Sequence, residues 1–367
     1  MHKKTFGPYG RSQKIPRNLE DITAPWLTSV LVNRYPGIVV EGMKTIEVRN
    51  GHTTKIRLEL DFNDVGKASG IPRQVCIKAN WSEGFESGDI CELEARFYYY
   101  IRENLSIPAP NCFYADWDDD GSGQGMVVME DLATEGGVFG HSTHHIGVDA
   151  VAHALEGLAQ LHGAWWGSDK LDQYQWLQTS MATTVDCEQQ RQLWPFAKLN
   201  IDKTDYQKIL PQWLLDNPQR LETAYDKLVA YAQAQTGPLC VVHGDSHLGN
   251  SYLRPSGERL WIDWQLVRKG HPWRDLTYFM LGTLTIDERR TEEDKLLKHY
   301  YEVLLSTGAT DLMSLDKVRE QYHRWPIYGM QAWLANQDEW GQHGLPMVER
   351  FYQAAEDFGT LKLIESL

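Results

Sequence analysis

A chain of 367 residues with 42% hydrophobic and 23% charged residues has ample length for two compact lobes and the composition of a globular protein, which excludes a disordered chain. The formal net charge of -14 argues against nucleic acid and anionic membrane surfaces as partners, since both are bound chiefly by Lys and Arg neutralising phosphates. A nucleotide held by a few local basic residues stays compatible with it, and no apolar run approaches the roughly 18 residues of a membrane span.

Taken in order, residues 1–20 read as a loose arm, basic and Gly/Pro-containing but without the apolar core of a secretory signal, so the expected location is cytoplasmic. Trp26, Leu27, Val30 and Leu31 share one face of a helix expected over 19–35, which Pro36-Gly37 ends. Residues 39–48 and 55–62 alternate as strands do, and their link, Arg49-Asn50-Gly51-His52-Thr53-Thr54, carries an Asn-Gly hairpin signal. After a polar loop over 63–72 comes a strand over 74–79 that contains Lys78, a residue type rarely buried without a partner. The next helix, expected over 90–104, spaces Leu93, Phe97, Tyr100 and Ile101 helically and offers Glu92 and Glu94 as partners for that lysine. Two more strands are expected at 112–117 and 126–129, with Asp118-Asp119-Asp120-Gly121 as a solvated turn between them. Glu130-Asp131-Leu132 follows, and the glycine-rich stretch 135–140 reads as a linker, which places a boundary near 132.

Beyond that point the chain turns mainly helical. Val151, Ala154, Leu155, Leu158 and Leu161 form an apolar stripe that His162, Trp165 and Trp166 extend, and His162 reads as a satisfied core histidine. Residues 171–235 and the chain from 275 onward are rich in Trp and Tyr, as core or as walls of an apolar or cation-binding pocket. The five cysteines, Cys76, Cys91, Cys112, Cys187 and Cys240, are widely spaced and read as small buried hydrophobes of a reducing compartment.

Between the helical parts stands Leu239-Cys240-Val241-Val242-His243-Gly244-Asp245-Ser246-His247-Leu248-Gly249-Asn250, followed by Arg259-Leu260-Trp261-Ile262-Asp263. Two apolar runs each deliver a carboxylate, and an amide lies five positions after the first. Asp245, Asn250 and Asp263 form the kind of oxygen set a hard divalent cation takes, and a carboxylate fixed at a strand end suits a general base. A metallohydrolase site on His243, Asp245 and His247 is the competing reading of these residues alone, although His271, His299 and His323 follow no ligand-like spacing.

The run His243 to Asn250, then Ile262-Asp263, then Gly270-His271-Pro272-Trp273-Arg274-Asp275-Leu276, resembles the signature of the aminoglycoside phosphotransferase and choline-kinase-like family of small-molecule kinases. Ile262-Asp263-Trp264-Gln265 and Val128-Met129-Glu130-Asp131-Leu132 are most similar to the ecdysteroid-kinase-like branch, and the resemblance spans about residues 40–285. It implies an α+β, bilobal protein-kinase-like fold. Residues 1–132 would form an N-terminal antiparallel-sheet lobe. Residues 133–367 would form a mainly helical C-terminal lobe holding the catalytic loop 243–250, the metal strand 259–264 and the substrate-binding helices.

The same resemblance implies ATP- and Mg2+-dependent phosphoryl transfer to a hydroxyl of a small molecule. In that scheme Asp245 orients or deprotonates the hydroxyl, and Asn250 and Asp263 hold magnesium. Lys78 contacts the α and β phosphates and is aligned by Glu94. The turn Asn50, Gly51, His52, Thr53 and Thr54 covers the phosphates, and the backbone from Glu130 to Leu132 meets the adenine. His243 and Asp275 support the catalytic loop. The sequence departs from the family pattern in having a single glycine, Gly51, in the phosphate turn and Gly270-His271-Pro272 where Gly-Asp-Pro is common; Glu92 stands beside Glu94, and Phe97-Tyr98 favours Glu94. A catalytically silent nucleotide- or ligand-binding protein of the same fold is the alternative.

Overall fold

The computed structural model describes residues 15–81, 88–102, 105, 107–118, 120–181, 184–336 and 341–367, with the side chains of 184–190 and 341–343 left aside. In chain order the principal elements are α1 (Ala24–Leu31), β1 (Val40–Arg49), β2 (Thr54–Phe62), β3 (Gln74–Ala79), α2 (Ile90–Tyr100), β4 (Cys112–Trp117), β5 (Gly125–Glu130), α3 (Val148–Ala164), α4 (Thr184–Ile201), α5 (Gln219–Ala234) and β6 (Cys240–Val242). They continue with β7 (Arg259–Trp261), β8 (Arg268–Gly270), α6 (Trp273–Thr283), α7 (Ile286–Ser306), α8 (Leu315–Arg324), α9 (Pro326–Leu334), α10 (Gly341–Phe358) and α11 (Thr360–Glu365). An antiparallel sheet followed by a helical remainder makes the fold α+β. The chain forms two compact units, one of residues 1–138 and 252–267, the other of 139–251 and 268–367. A single cut at 132 therefore does not describe the division, because the strand leading to Asp263 is part of the first unit.

In the first unit the sheet order is β1-β2-β3-β5-β4, antiparallel throughout. Its core follows the period-two pattern of a strand: Ile56, Leu58, Leu60 and Phe62 of β2 and Val75, Ile77 and Ala79 of β3 are all buried. Arg49 opposes Lys55, so the β1–β2 hairpin closes on residues 50–54, and Gly51 is not among the glycines with positive φ. The expected hairpin thus forms without the left-handed geometry that a two-residue Asn-Gly turn requires. Helix α1 starts only at Ala24, because the Thr23 hydroxyl accepts the Trp26 N–H as an N-cap and Pro25 sits in the first turn; residues 19–21 form a separate 3-10 turn.

Of the expected loose arm, residues 1–14 lie outside the described residues, and the rest is docked. Ile15 is buried, the Trp81 indole donates to the Pro16 carbonyl at 2.9 Å, and Arg17 pairs with Asp118 at 2.6 Å and Asp120 at 3.0 Å. The turn after β4 is therefore a counter-charge for the arm as well as a solvated loop; Asp119 lies outside the described residues. Helix α2 ends at Tyr100, short of the expected 104; positions 103 and 104 lie outside the described residues.

In the second unit α3 buries the predicted stripe of Val151, Ala154, Leu155, Leu158 and Leu161. Helix α6 is buried at every position from Trp273 to Thr283, as suits a segment surrounded by other helices. Strands β6 and β8 pair antiparallel, with Val242 opposite Arg268, and this brings the residues after β6 close to those opening α6. The glycine-rich stretch is not a slack linker: Val138–Phe139 is a short strand, and a Cβ on Gly140 would lie 1.8 Å from the Leu248 carbonyl oxygen. Among the described residues no helix is long and apolar enough to cross a membrane.

Candidate active site

The first unit gathers three charged side chains. Lys78 leaves the end of β3 with its Nζ 2.7 Å from Glu94 Oε2 on α2 and 2.6 Å from Asp263 Oδ1 beyond β7. Glu92, the competing partner, pairs instead with Arg96 one turn along the same helix. Lys78 and Glu94 are both buried, and Asp263 keeps a 20% exposed side chain. Burial works against the charge on Lys78, but the carboxylates of Asp263 and Glu94 outweigh it and hold the ammonium charged well beyond its ordinary range. Burial pushes the Glu94 carboxyl up, against the pull of Lys78.

Asp263 occupies left-handed backbone at φ 65° and ψ 61°, a region that Asp tolerates better than most residues and that costs of order 1 kcal/mol. The turn that follows holds it there. Trp264 stacks on Phe97 of α2 at 4.0 Å between ring centroids, 8° from parallel, and its backbone N–H donates to Glu94 Oε1 at 3.3 Å. One helix face thus positions both partners of Lys78.

The second unit holds the other set. After β6 the chain passes through Asp245 to a 3-10 turn, Leu248–Asn250, capped by His247, whose Nδ1 accepts the Gly249 N–H at 3.0 Å. Asn250 Nδ2 donates to the Asp245 carbonyl and to Asp245 Oδ2, both at 2.8 Å, so both amide hydrogens are spent and the amide oxygen is left as a donor atom for a cation.

Asp275, at the start of α6, accepts the backbone N–H of His243 at 2.6 Å through Oδ2 and that of Gly244 at 3.1 Å through Oδ1, while its own carbonyl accepts the Ser246 hydroxyl at 2.9 Å. The Arg274 guanidinium closes the set by donating to the Gly244 carbonyl at 3.0 Å. Burial alone would raise the Asp275 carboxyl; the hydrogen bond from His162, with the Arg274 charge nearby, holds it below the usual carboxylate range.

His243 is wholly buried and its Nδ1 accepts the Asp245 N–H at 3.3 Å. Among the described residues no three His, Cys, Asp or Glu side chains come together as a cation-holding group, so His243, Asp245 and His247 do not converge on one ion.

The sequence matches the ecdysteroid kinase-like family over residues 90–310. The chain belongs to that family. A candidate aminoglycoside phosphotransferase from Ralstonia eutropha JMP134 is 15% identical, with 87% of this chain and 95% of that chain covered and a TM-score of 0.52, a likeness that shows the fold. LicA in complex with AMP is 15% identical, covering 88% and 94% with a TM-score of 0.49, and the GDP complex of aminoglycoside 2'-phosphotransferase-IIIa is 13% identical, covering 92% and 100% with a TM-score of 0.48. No curated protein matches the chain in sequence.

The remaining positions singled out in this ecdysteroid kinase-like chain fall in the first unit. Asn50, Gly51 and His52 are exposed at the hairpin tip, Thr53 and Thr54 are buried, and the Thr54 hydroxyl donates to Asn50 Oδ1 at 3.3 Å. Glu130 turns its carboxylate to the Asn111 backbone N–H at 2.8 Å and to Arg254 at 2.5 Å, and the Leu132 carbonyl accepts the Tyr252 hydroxyl at 2.8 Å. A cavity of about 500 Å³ in this unit is lined by Arg34, Arg102, Glu130, Asp131 and Glu135 among others, but by none of Lys78, Glu94 and Asp263. It lies behind the segment after β5, and its acidic groups are held by Arg57 and Arg254. Trp264 and Arg274 stand inside the motif runs, yet their roles, like that of His162 on α3, were not legible from them, because each acts through tertiary contacts.

Proposed function

We propose that the chain is a nucleotide- and magnesium-dependent phosphotransferase acting on a hydroxyl of a small molecule. The observation that carries the reading is the buried ammonium of Lys78 between Glu94 and Asp263. A charged lysine oriented by one carboxylate, beside a second carboxylate that can hold a divalent cation, suits a polyphosphate, since phosphoryl transfer rests on positioning and charge neutralisation. Lys78 binds the nucleotide phosphates and Glu94 aligns it. Asp245 orients the acceptor hydroxyl and takes its proton. One oxygen of its carboxylate is pinned by Asn250, which leaves the other for the substrate.

The amide oxygen of Asn250 and the carboxylate of Asp263 are each a type of donor that magnesium, a hard cation, prefers; when bound, magnesium would neutralise charge developing on the phosphates. Asp275 and His243 fix the backbone on either side of Gly244. The Leu132 carbonyl is engaged by Tyr252, so adenine recognition falls to the remaining backbone groups from Glu130 to Leu132.

The test is magnesium-dependent ADP release from ATP across a panel of alcohols, with Asp245→Asn as the blank. Turnover that rises with one class of alcohol and vanishes in the variant is expected. Absence of magnesium-dependent nucleotide binding, together with no effect of Asp263→Ala on binding, would overturn the reading. The single exposed glycine of the hairpin tip is the observation behind a silent nucleotide-binding protein of the same fold, and any turnover that Asp245→Asn abolishes removes that alternative.

A further inference from the structure

His162 sits on α3 with no exposed surface, and both of its ring nitrogens are engaged. Nδ1 lies 2.7 Å from the Tyr300 hydroxyl on α7, and Nε2 lies 3.4 Å from Asp275 Oδ2 on α6. Tyr300 and Asp275 are equally buried. Three helices of the second unit thus contribute one side chain each to a single chain of polar contacts.

The direction of the contact with Asp275 follows from the carboxylate. Asp275 accepts backbone N–H groups on both oxygens, and its carboxyl is held low, so it is an ionised acceptor and the ring must present Nε2–H to it. In the Nε2–H tautomer of the ring the lone pair lies on Nδ1, and there it accepts the Tyr300 hydroxyl. The chain reads Tyr300 O–H to Nδ1, then Nε2–H to Asp275 Oδ2, with the N–H groups of His243 and Gly244 arriving at the same carboxylate.

A core histidine needs only some partner for each nitrogen. Here one partner is the carboxylate that fixes the two residues before Asp245. Without a donor at Nε2, burial would raise the Asp275 carboxyl, and a protonated carboxyl cannot accept at full strength from both backbone N–H groups.

We infer that His162 is a positioning residue for the loop bearing Asp245, acting through Asp275, and that Tyr300 sets the ring tautomer in which it does so. The role in turnover rests on the phosphotransferase reading; the role in holding the loop does not. Two variants separate positioning from packing. The amide nitrogen of Gln reaches the place of Nε2, whereas that of Asn reaches only the place of Nδ1.

The experiment measures backbone hydrogen exchange over residues 243–246, magnesium-dependent ATP turnover and thermal midpoint in the wild type, His162→Gln, His162→Asn and Tyr300→Phe. His162→Asn should lose roughly tenfold in kcat with KM for the nucleotide little changed, while His162→Gln stays close to wild type, the scale seen when a residue orienting a catalytic group is removed. Exchange over 243–246 should quicken in His162→Asn and not in His162→Gln, with Tyr300→Phe between them. Equal loss in His162→Gln and His162→Asn, tracking the fall in thermal midpoint, would overturn the inference, as would unchanged exchange in His162→Asn. If the wild type shows no turnover yet exchange still separates Asn from Gln, the positioning role stands and the phosphotransferase reading falls.

Discussion

Lys78 Nζ and Asp263 Oδ1 meet at 2.6 Å across 185 positions of sequence, and Glu94 takes the other side of the same ammonium. One positive and two negative groups leave the cluster with a surplus of negative charge in a mostly buried setting, which favours an added cation beside Asp263 and disfavours loss of the lysine.

Lys78→Met should therefore destabilise the protein by about 3–5 kcal/mol at neutral pH, because it leaves two carboxylates facing each other without the charge between them. The sign of the pH dependence follows from Glu94, whose carboxyl burial already raises in the wild type and whose downward pull from Lys78 the variant removes. A carboxyl that holds its proton more tightly folded than unfolded loses stability as pH rises through the folded value. The deficit of Lys78→Met against wild type should be largest above that value and shrink toward the ordinary carboxylate range; urea denaturation at several pH values measures it. A deficit independent of pH would show that Glu94 stays ionised without its partner.

Asp275 has the opposite sign. Its folded carboxyl is held low, so its contribution is present above the ordinary carboxylate value of 3.8 and is lost as pH falls through the lower folded value. Asp275→Asn puts an NH2 group toward one of the two backbone N–H donors now satisfied, and should cost about 1.5–3 kcal/mol near pH 7, the worth of a hydrogen bond to a charged group. The difference between variant and wild type should narrow below pH 4, as followed by the thermal midpoint.

The strands of the first unit were legible because alternation has period two and each has a buried face: β3 begins and ends where expected, and β2 is off by one residue. The triad of Lys78, Glu94 and Asp263 was legible only as candidates. The only local sign favouring Glu94 over Glu92 is the Phe97-Tyr98 pair that follows it; the choice is made by which residue of α2 turns toward β3 and by the Phe97–Trp264 stack that draws Asp263 alongside. The helix expected from residue 19 failed at its start because capping by Thr23 outweighs apolar spacing. The described end of the expected arm, from residue 15, is docked because Arg17 finds Asp118 and Asp120 about a hundred positions away, ion pairs that composition cannot reveal.

His323 should give the protein a second acid-sensitive step. Burial, aided by the nearby Arg319 charge, lowers its imidazole from the ordinary 6.5 to about 4, and the ring stacks on Phe358 at 4.2 Å. Between these values the unfolded chain binds a proton that the folded protein refuses, so stability falls as pH is lowered through this window. His323→Phe keeps the stack without the titration, and its unfolding free energy should slope less steeply between pH 6.5 and pH 4 than that of the wild type. Equal slopes in the two proteins would place the titration elsewhere.

Gly125, the first residue of β5, shows how closely the sheet and α2 are fitted together. A Cβ there would lie 2.1 Å from the Cys91 carbonyl oxygen and 2.5 Å from the Glu92 nitrogen, which are backbone atoms that no rotamer change can clear. Gly125→Ala must therefore move α2 or β5, and overpacking of this kind costs about 1–3 kcal/mol or more. The consequence extends beyond stability, because α2 carries Glu94 three residues after Cys91 and presents Phe97 to Trp264. A helix displaced from β5 takes Glu94 away from Lys78. Gly125→Ala should weaken nucleotide binding as well as lower the thermal midpoint, whereas Gly70→Ala, at a left-handed glycine with nothing within 4 Å of the new Cβ, should lower the midpoint alone. Titration calorimetry with a magnesium nucleotide on both variants distinguishes the two, and equal affinity in both would show that Glu94 holds its place independently of the helix seat.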